Sequence, residues 1–163
     1  MAINVTNKTS EYIQTLIHDA FDINSSLDRI KTVLIADLVY PKLGDIIHKL
    51  AHNYSIDIAD GLGDILEEYN ESVKYGNIDK HIEEYANVQQ AIDKAYELML
   101  TYQNELNQVA KVSFENMDIH IYEKLLNIIE LNNQYVAKII LIKDLADRYG
   151  DLPSFDSHIE QYM

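Results

Sequence analysis

Five glycines and two prolines are all the backbone punctuation in this 163-residue chain. β-Sandwiches and barrels must turn about every 8–12 residues and use glycine and proline to do so. A chain this poor in breakers is expected to run in long helices, and the apolar residues follow that expectation. Tyr12, Leu16, Ile23, Leu27, Ile30 and Leu34 recur at three- and four-residue spacing, the period of one greasy helix face. Thr9 or Ser10 is the expected cap, and Glu11 adds negative charge near the helix's positive end. Pro41 in LVYPKLGD closes this first segment, predicted over about 10–38, because proline removes a donor and disfavours helix just before itself.

A second helix is predicted over about 42–74, with Ile47, Ala51, Ile58, Leu62, Ile65 and Tyr69 inward. Gly61 and Gly63 weaken it locally by roughly 1 kcal/mol each, and mark either a close backbone approach or a bend. Gly76 or Asn77 in YGNID is the expected left-handed terminator. A third helix, about 80–115, carries Val88, Ala91, Ala95, Met99, Tyr102, Leu106 and Val109 on one face. ENMD breaks it, and Asp118 is placed to cap a fourth helix, about 118–149. That helix turns Ile121, Leu125, Ile128, Asn132, Tyr135, Ile139 and Ala146 inward, and Gly150 and Pro153 stop it. The tail, 151–163, is expected to add a short docked turn. The chain reads as one all-α domain, 1–163: a four-helix bundle of long antiparallel helices.

Charge narrows the function. A net charge of −14 opposes binding to nucleic-acid phosphates and suits either a soluble, self-repelling surface or one that attracts cations, divalent ones included. The absence of cysteine removes disulfides, thiolate metal sites and a cysteine nucleophile. The opening MAINVTNKTSEY shows no basic region followed by an apolar stretch. No apolar run approaches the ~20 residues that span a bilayer. The expectation is a cytoplasmic protein that binds neither membrane nor nucleic acid. No serine nucleophile set and no phosphate-cradling glycine loop stands out.

Ligand-like residues gather on the second helix. Asp45, His48 and His52 share one face, and a His pair one turn apart with a carboxylate can chelate a divalent ion; a boundary face with solvated histidines is the alternative. Asp57, Asp60, Asp64, Glu67 and Glu68 form a second acidic face, either solvated surface or the lining of a shell interior. Glu130, Asn132 and Gln134 crowd the middle of the last helix in IIELNNQYV. They read as a metal-site remnant, an interhelical hydrogen-bond seam or subunit contacts. Twelve tyrosines suit subunit contacts that bury a ring and keep a hydroxyl wet.

ELMLTYQNELNQVA, the ENMD corner, LLNIIELNNQYV and the closing IKDLADRYG follow one another between Asn87 and Gly150. In these residues the chain resembles the second helical pair of a ferritin, and LGDILEEYNESVKYGNI has the tone of small phage-borne ferritin-like proteins. The resemblance implies a ferritin-like bundle, iron as the cofactor and a homo-oligomer. It also implies an oxidation centre of inward carboxylates and a Glu-x-x-His pair. Here Met99 stands where the family's glutamate belongs, Asn132 takes a position commonly glutamine, Glu130 turns to a flank, and no Glu-x-x-His occurs. The functional expectation is a divergent ferritin-like protein for iron binding, oxidation or storage, its metal centre degenerate or relocated. The candidate metal residues are Asp45, His48, His52, Asp60, Asp64 and Glu130. The alternative is a non-enzymatic interaction bundle that has lost the site.

Overall fold

A computed structural model describes residues 6–163; residues 1–5, the start of the segment read for a leader, lie outside it. Every regular element among its described residues is a helix, with no strand among them. Helix α1, Asn7–Thr32, continues into a π-helical turn, Val33–Asp37. Helix α2, Pro41–Asn53, runs through a second π-helical stretch, Tyr54–Ala59, into α3, Asp60–Glu68. Helices α4, Val88–Glu115, α5, Ile119–Tyr149, and α6, Phe155–Tyr162, complete the chain. No helix among the described residues is long and apolar enough to cross a membrane.

Helix α4 packs chiefly on α5, α1 on α2 and its π stretch, and α1 joins the two pairs through α4. The inner faces merge into one buried cluster that reaches from Ile13 to Ile159. Each fully buried Leu or Ile in it contributes about 1.5–3 kcal/mol of transfer free energy. Tyr12 departs from the expected stripe and is half exposed, because Ile13, Leu16, Ile17 and Ala20 form the inner face there. Gly61 and Gly63 do not break the rod. A Cβ at Gly61 would stand 2.7 Å from Cδ1 of Ile128, so glycine lets α3 lie close against α5.

The helix ends differ most from expectation. Thr6, not Thr9 or Ser10, caps α1, accepting from the Thr9 amide at 3.4 Å. The second rod stops at Glu68 rather than 74: Asn70 turns left-handed at φ 59, and Glu71 N–H returns to the Leu66 carbonyl at 3.0 Å. This is a Schellman closure, and it makes Asn70, not Gly76 or Asn77, the terminator. The same closure ends α4, with Met117 left-handed at φ 63 and Asp118 N–H on the Ser113 carbonyl at 2.9 Å. Val39 is left-handed at φ 64 where α1's π turn ends. A β-branched residue is strained there. Asp118 does not cap α5 with its side chain. Its carboxylate accepts instead from the Thr6 and Thr9 hydroxyls at 2.9 and 2.7 Å, pinning the α4–α5 corner to the start of α1.

Residues 80–87, expected to be helical, belong to a non-helical strap that follows Asn70 and ends at Asn87. The Asn87 side chain caps α4 through the Gln90 amide at 2.9 Å, and Gln90 Oε1 accepts in return from Ala86 N–H at 3.1 Å. The strap lies along α1 and is held about once per helical turn. Gln14 donates to the Ser72 carbonyl, His18 meets the Asn77 carbonyl, Asp22 and Ser26 meet His81, and Arg29 donates to the Glu83 carbonyl. The tail forms α6, docked by buried Phe155 and Ile159. Asp156 accepts from the amides of Lys42 and Leu43 at 3.1 and 2.9 Å, capping α2 from across the fold.

Candidate functional site

Two side-chain clusters are candidates. The first lies in the interior. Asn132 is fully buried on α5 and uses both ends of its amide. Its Oδ1 accepts from the Tyr54 hydroxyl at 2.7 Å, and its Nδ2 donates to Oε1 of Gln103 on α4. Tyr102 packs edge-on to Tyr54, ring centroids 5.6 Å apart, and donates to the Leu16 carbonyl at 2.8 Å. Tyr135 donates to Asp57 at 2.6 Å. Burial holds the Tyr54 and Tyr102 hydroxyls far above the ordinary phenol range, so both stay neutral. Tyr54 and Asp57 both stand in the π-helical stretch Tyr54–Ala59. A π turn carries one extra residue and resets the helix face after it.

A carboxylate-bridged iron centre needs inward oxygen donors with free lone pairs. The buried polar side chains here are neutral amides and phenols already bonded to one another, and Met99 fills a fully buried position. This donor set does not fit a carboxylate-bridged iron centre.

The second cluster lies on the outer side of α2, where the sequence placed its His pair. His48 and His52 do come together: their Nε2 atoms are 3.1 Å apart and their rings meet edge to face at 4.4 Å. The carboxylate that meets His48 is Asp28 of α1, not Asp45, with its Oδ1 2.9 Å from Nδ1. In the tautomer that carries its proton on Nδ1, His48 donates to Asp28. That leaves His48 Nε2 as an acceptor, and the His52 Nε2 proton fills the gap between the rings.

The remaining candidates do not join them. Asp45, Asp60, Asp64 and Glu130 are exposed, and no group of three or more metal-ligating side chains converges among the described residues. The acidic face is divided as well, because Asp57 turns to Tyr135 and Glu68 pairs with Lys124. The hydrogen bond from Lys124 holds the Glu68 carboxyl below its usual range.

Sequence reasoning missed Asp28, Tyr54 and Gln103. Asp28 belongs to another helix, and no local spacing connects it to His48. Tyr54 stands three residues after Ala51 and four before Ile58, on the stripe's own spacing, so helical periodicity was the available signal. Gln103 lies beside Tyr102 on an expected inner face, and two adjacent polar groups there were the available signal. No protein-family model matches the chain, and no curated protein matches it.

Proposed function

We propose that this chain is a divergent ferritin-like four-helix bundle that self-associates and binds a divalent metal ion away from the bundle centre, at His48 and His52. The observation that carries this reading is the 3.1 Å separation of the two Nε2 atoms. Nitrogens each about 2.0–2.1 Å from one tetrahedral ion would stand roughly 3.3–3.4 Å apart. The pair is therefore close to the spacing an ion requires, and the ion would replace the proton the rings now share. Asp28 supports the reading further, since metal-bound histidines commonly donate their other nitrogen to a carboxylate, which fixes the tautomer and raises basicity.

Imidazole suits iron, zinc, copper or nickel. Two protein ligands leave positions for water or for a group from a second copy. No oxidation step is assigned to the bundle centre, where the buried groups are already bonded to each other.

The test is metal analysis of protein purified without chelators, with anaerobic titration by ferrous ion and, separately, zinc. Binding that is lost in His48→Ala/His52→Ala and kept in Glu130→Ala supports the reading. Retention in the double variant refutes the location, and no binding refutes the function.

The second reading is a non-enzymatic interaction bundle. It is favoured by the neutral, mutually bonded interior and by apolar side chains exposed at the α4–α5 corner, Phe114 and Met117 among them.

A further inference from the structure

Helices α1 and α4 do not close fully on each other. A groove of about 570 Å³ opens between them, walled by Leu16, Val109 and Val112 and edged by Tyr12. It continues into a second hollow of about 250 Å³ that shares Asp19, Thr101 and Glu105 with it and adds Asp22 and Glu97. One end of the channel is therefore apolar and the other is lined by four acidic side chains. No lysine or arginine lines either part.

The acidic end is unevenly compensated. Asp19 has His18 at 3.3 Å, Asp22 has His81 at 2.8 Å, and Glu97 has Lys94 at 3.8 Å. Glu105 has no basic partner among the described residues and faces Asp19 from across the groove. Burial first, then hydrogen bonding and repulsion from Asp19, push its carboxyl up to about 7. Glu105 therefore keeps its proton up to near neutrality, because a second ionised carboxylate beside Asp19 is costly. The cavity is in the size range of small-molecule sites, with apolar walls and a few convergent polar groups.

We propose that the α1–α4 groove binds an organic cation with an apolar body, its ammonium seated between Asp19 and Glu105 and its hydrocarbon part against Leu16, Val109 and Val112. Charge complementarity selects this occupant. A neutral ligand leaves the carboxyl pair uncompensated, and an anion is repelled by all four acidic groups. The −14 net charge of the chain also disfavours a second copy inserting here. An ammonium would replace the proton on Glu105, so binding should release one, and affinity should rise with pH through Glu105's titration. His18 and His81 lose charge over the same range, which leaves Asp19 and Asp22 less compensated and acts in the same direction.

The experiment is titration of the full chain with n-hexylamine, followed by backbone amide NMR. Hexanol and hexanoate serve as neutral and anionic counterparts, and a basic amphipathic helical peptide as a competing class. Saturable shifts at Thr101, Glu105 and Val109 with hexylamine alone are expected. Affinity should be at least tenfold stronger at pH 8 than at pH 6, and at least tenfold weaker in Glu105→Gln. Folding of the variant is checked by circular dichroism. If Glu105→Gln fails to fold, Val109→Phe, which fills the apolar end, serves in its place and should abolish the shifts. Equal response to hexanol, no saturable response at millimolar amine, or unchanged affinity in the variants overturns the proposal. Binding of the peptide without binding of the amine also overturns it, in favour of a protein partner.

Discussion

Asn132 accepts from the Tyr54 hydroxyl at 2.7 Å and donates its own amide N–H to Gln103, so one fully buried side chain joins the α2–α3 rod, α4 and α5. Each group in this chain satisfies a neighbour that has no water to turn to. Truncation therefore strands partners rather than merely removing a bond, at about 1–3 kcal/mol for each stranded group. Asn132→Ala should lose roughly 2–4 kcal/mol in denaturant unfolding. The triple change Asn132→Leu, Tyr54→Phe and Gln103→Leu should be much milder than the sum of its parts, because it removes donors and acceptors together. A loss below ~1 kcal/mol in Asn132→Ala would show that the network is not a structural lock.

The π turn after α1 ends on a strained residue. Val39 sits at φ 64 with its side chain largely exposed, and left-handed backbone costs a β-branched residue about 1–2 kcal/mol. Glycine removes that strain and gives back part of the gain as unfolded-state entropy, roughly 0.5–1 kcal/mol. Val39→Gly should raise stability by up to about 1 kcal/mol, read as a higher denaturant midpoint at unchanged slope. Lower stability would mean that the valine side chain makes a contact worth more than its strain.

The strap should loosen as pH rises. Burial lowers the affinity of His81 for its proton, but its hydrogen bonds to Asp22 and Glu83 outweigh it and leave the ring raised. His18 is raised by its bond to the Asn77 carbonyl and by Asp19. For a group raised in the folded state, the stabilisation is fully present below the unfolded value, near 6.5, and is lost as pH climbs through the folded value. The melting-temperature gap between wild type and His81→Gln should therefore be widest below pH 6.5 and shrink towards pH 8.5. Imidazole resonances of His81 that titrate at or below 6.5 would contradict the arrangement.

Asp28 tests the proposed metal site without touching a ligand. If it orients His48 through Nδ1, Asp28→Asn should weaken zinc binding about 10- to 100-fold while leaving the stoichiometry unchanged. An unchanged affinity would leave His48 and His52 as a plain surface pair.

The corner beside α5 offers a stability test remote from both sites. Asp118 takes hydrogen bonds from two threonine hydroxyls of the α1 start, and hydrogen bonds to a charged group contribute roughly 1.5–3 kcal/mol. Half-burial places this one at the low end. Asp118→Ala should cost about 1–2 kcal/mol, and Thr9→Val about half of that, by thermal or denaturant unfolding.

Local rules were enough for what repeats along one chain segment. Scarce glycine and proline, and apolar residues at helical spacing, determined long helices with inner faces such as Val88–Val109, because amphipathic periodicity is a property of neighbours in sequence. The His48–His52 pair was readable for the same reason, both residues lying one turn apart on one helix. Tertiary structure decided everything that joins distant segments. Which carboxylate meets His48 depended on α1 lying beside α2, and the partners of Asn132 depended on the second rod and α4 bringing Tyr54 and Gln103 to it. Where the second rod stops depended on a strap whose backbone is held by side chains of α1. Asn70, Met117 and Val39 end their helices in a left-handed conformation that glycine would be expected to supply. That is a cost local propensity argues against, and packing of the completed fold outweighs it.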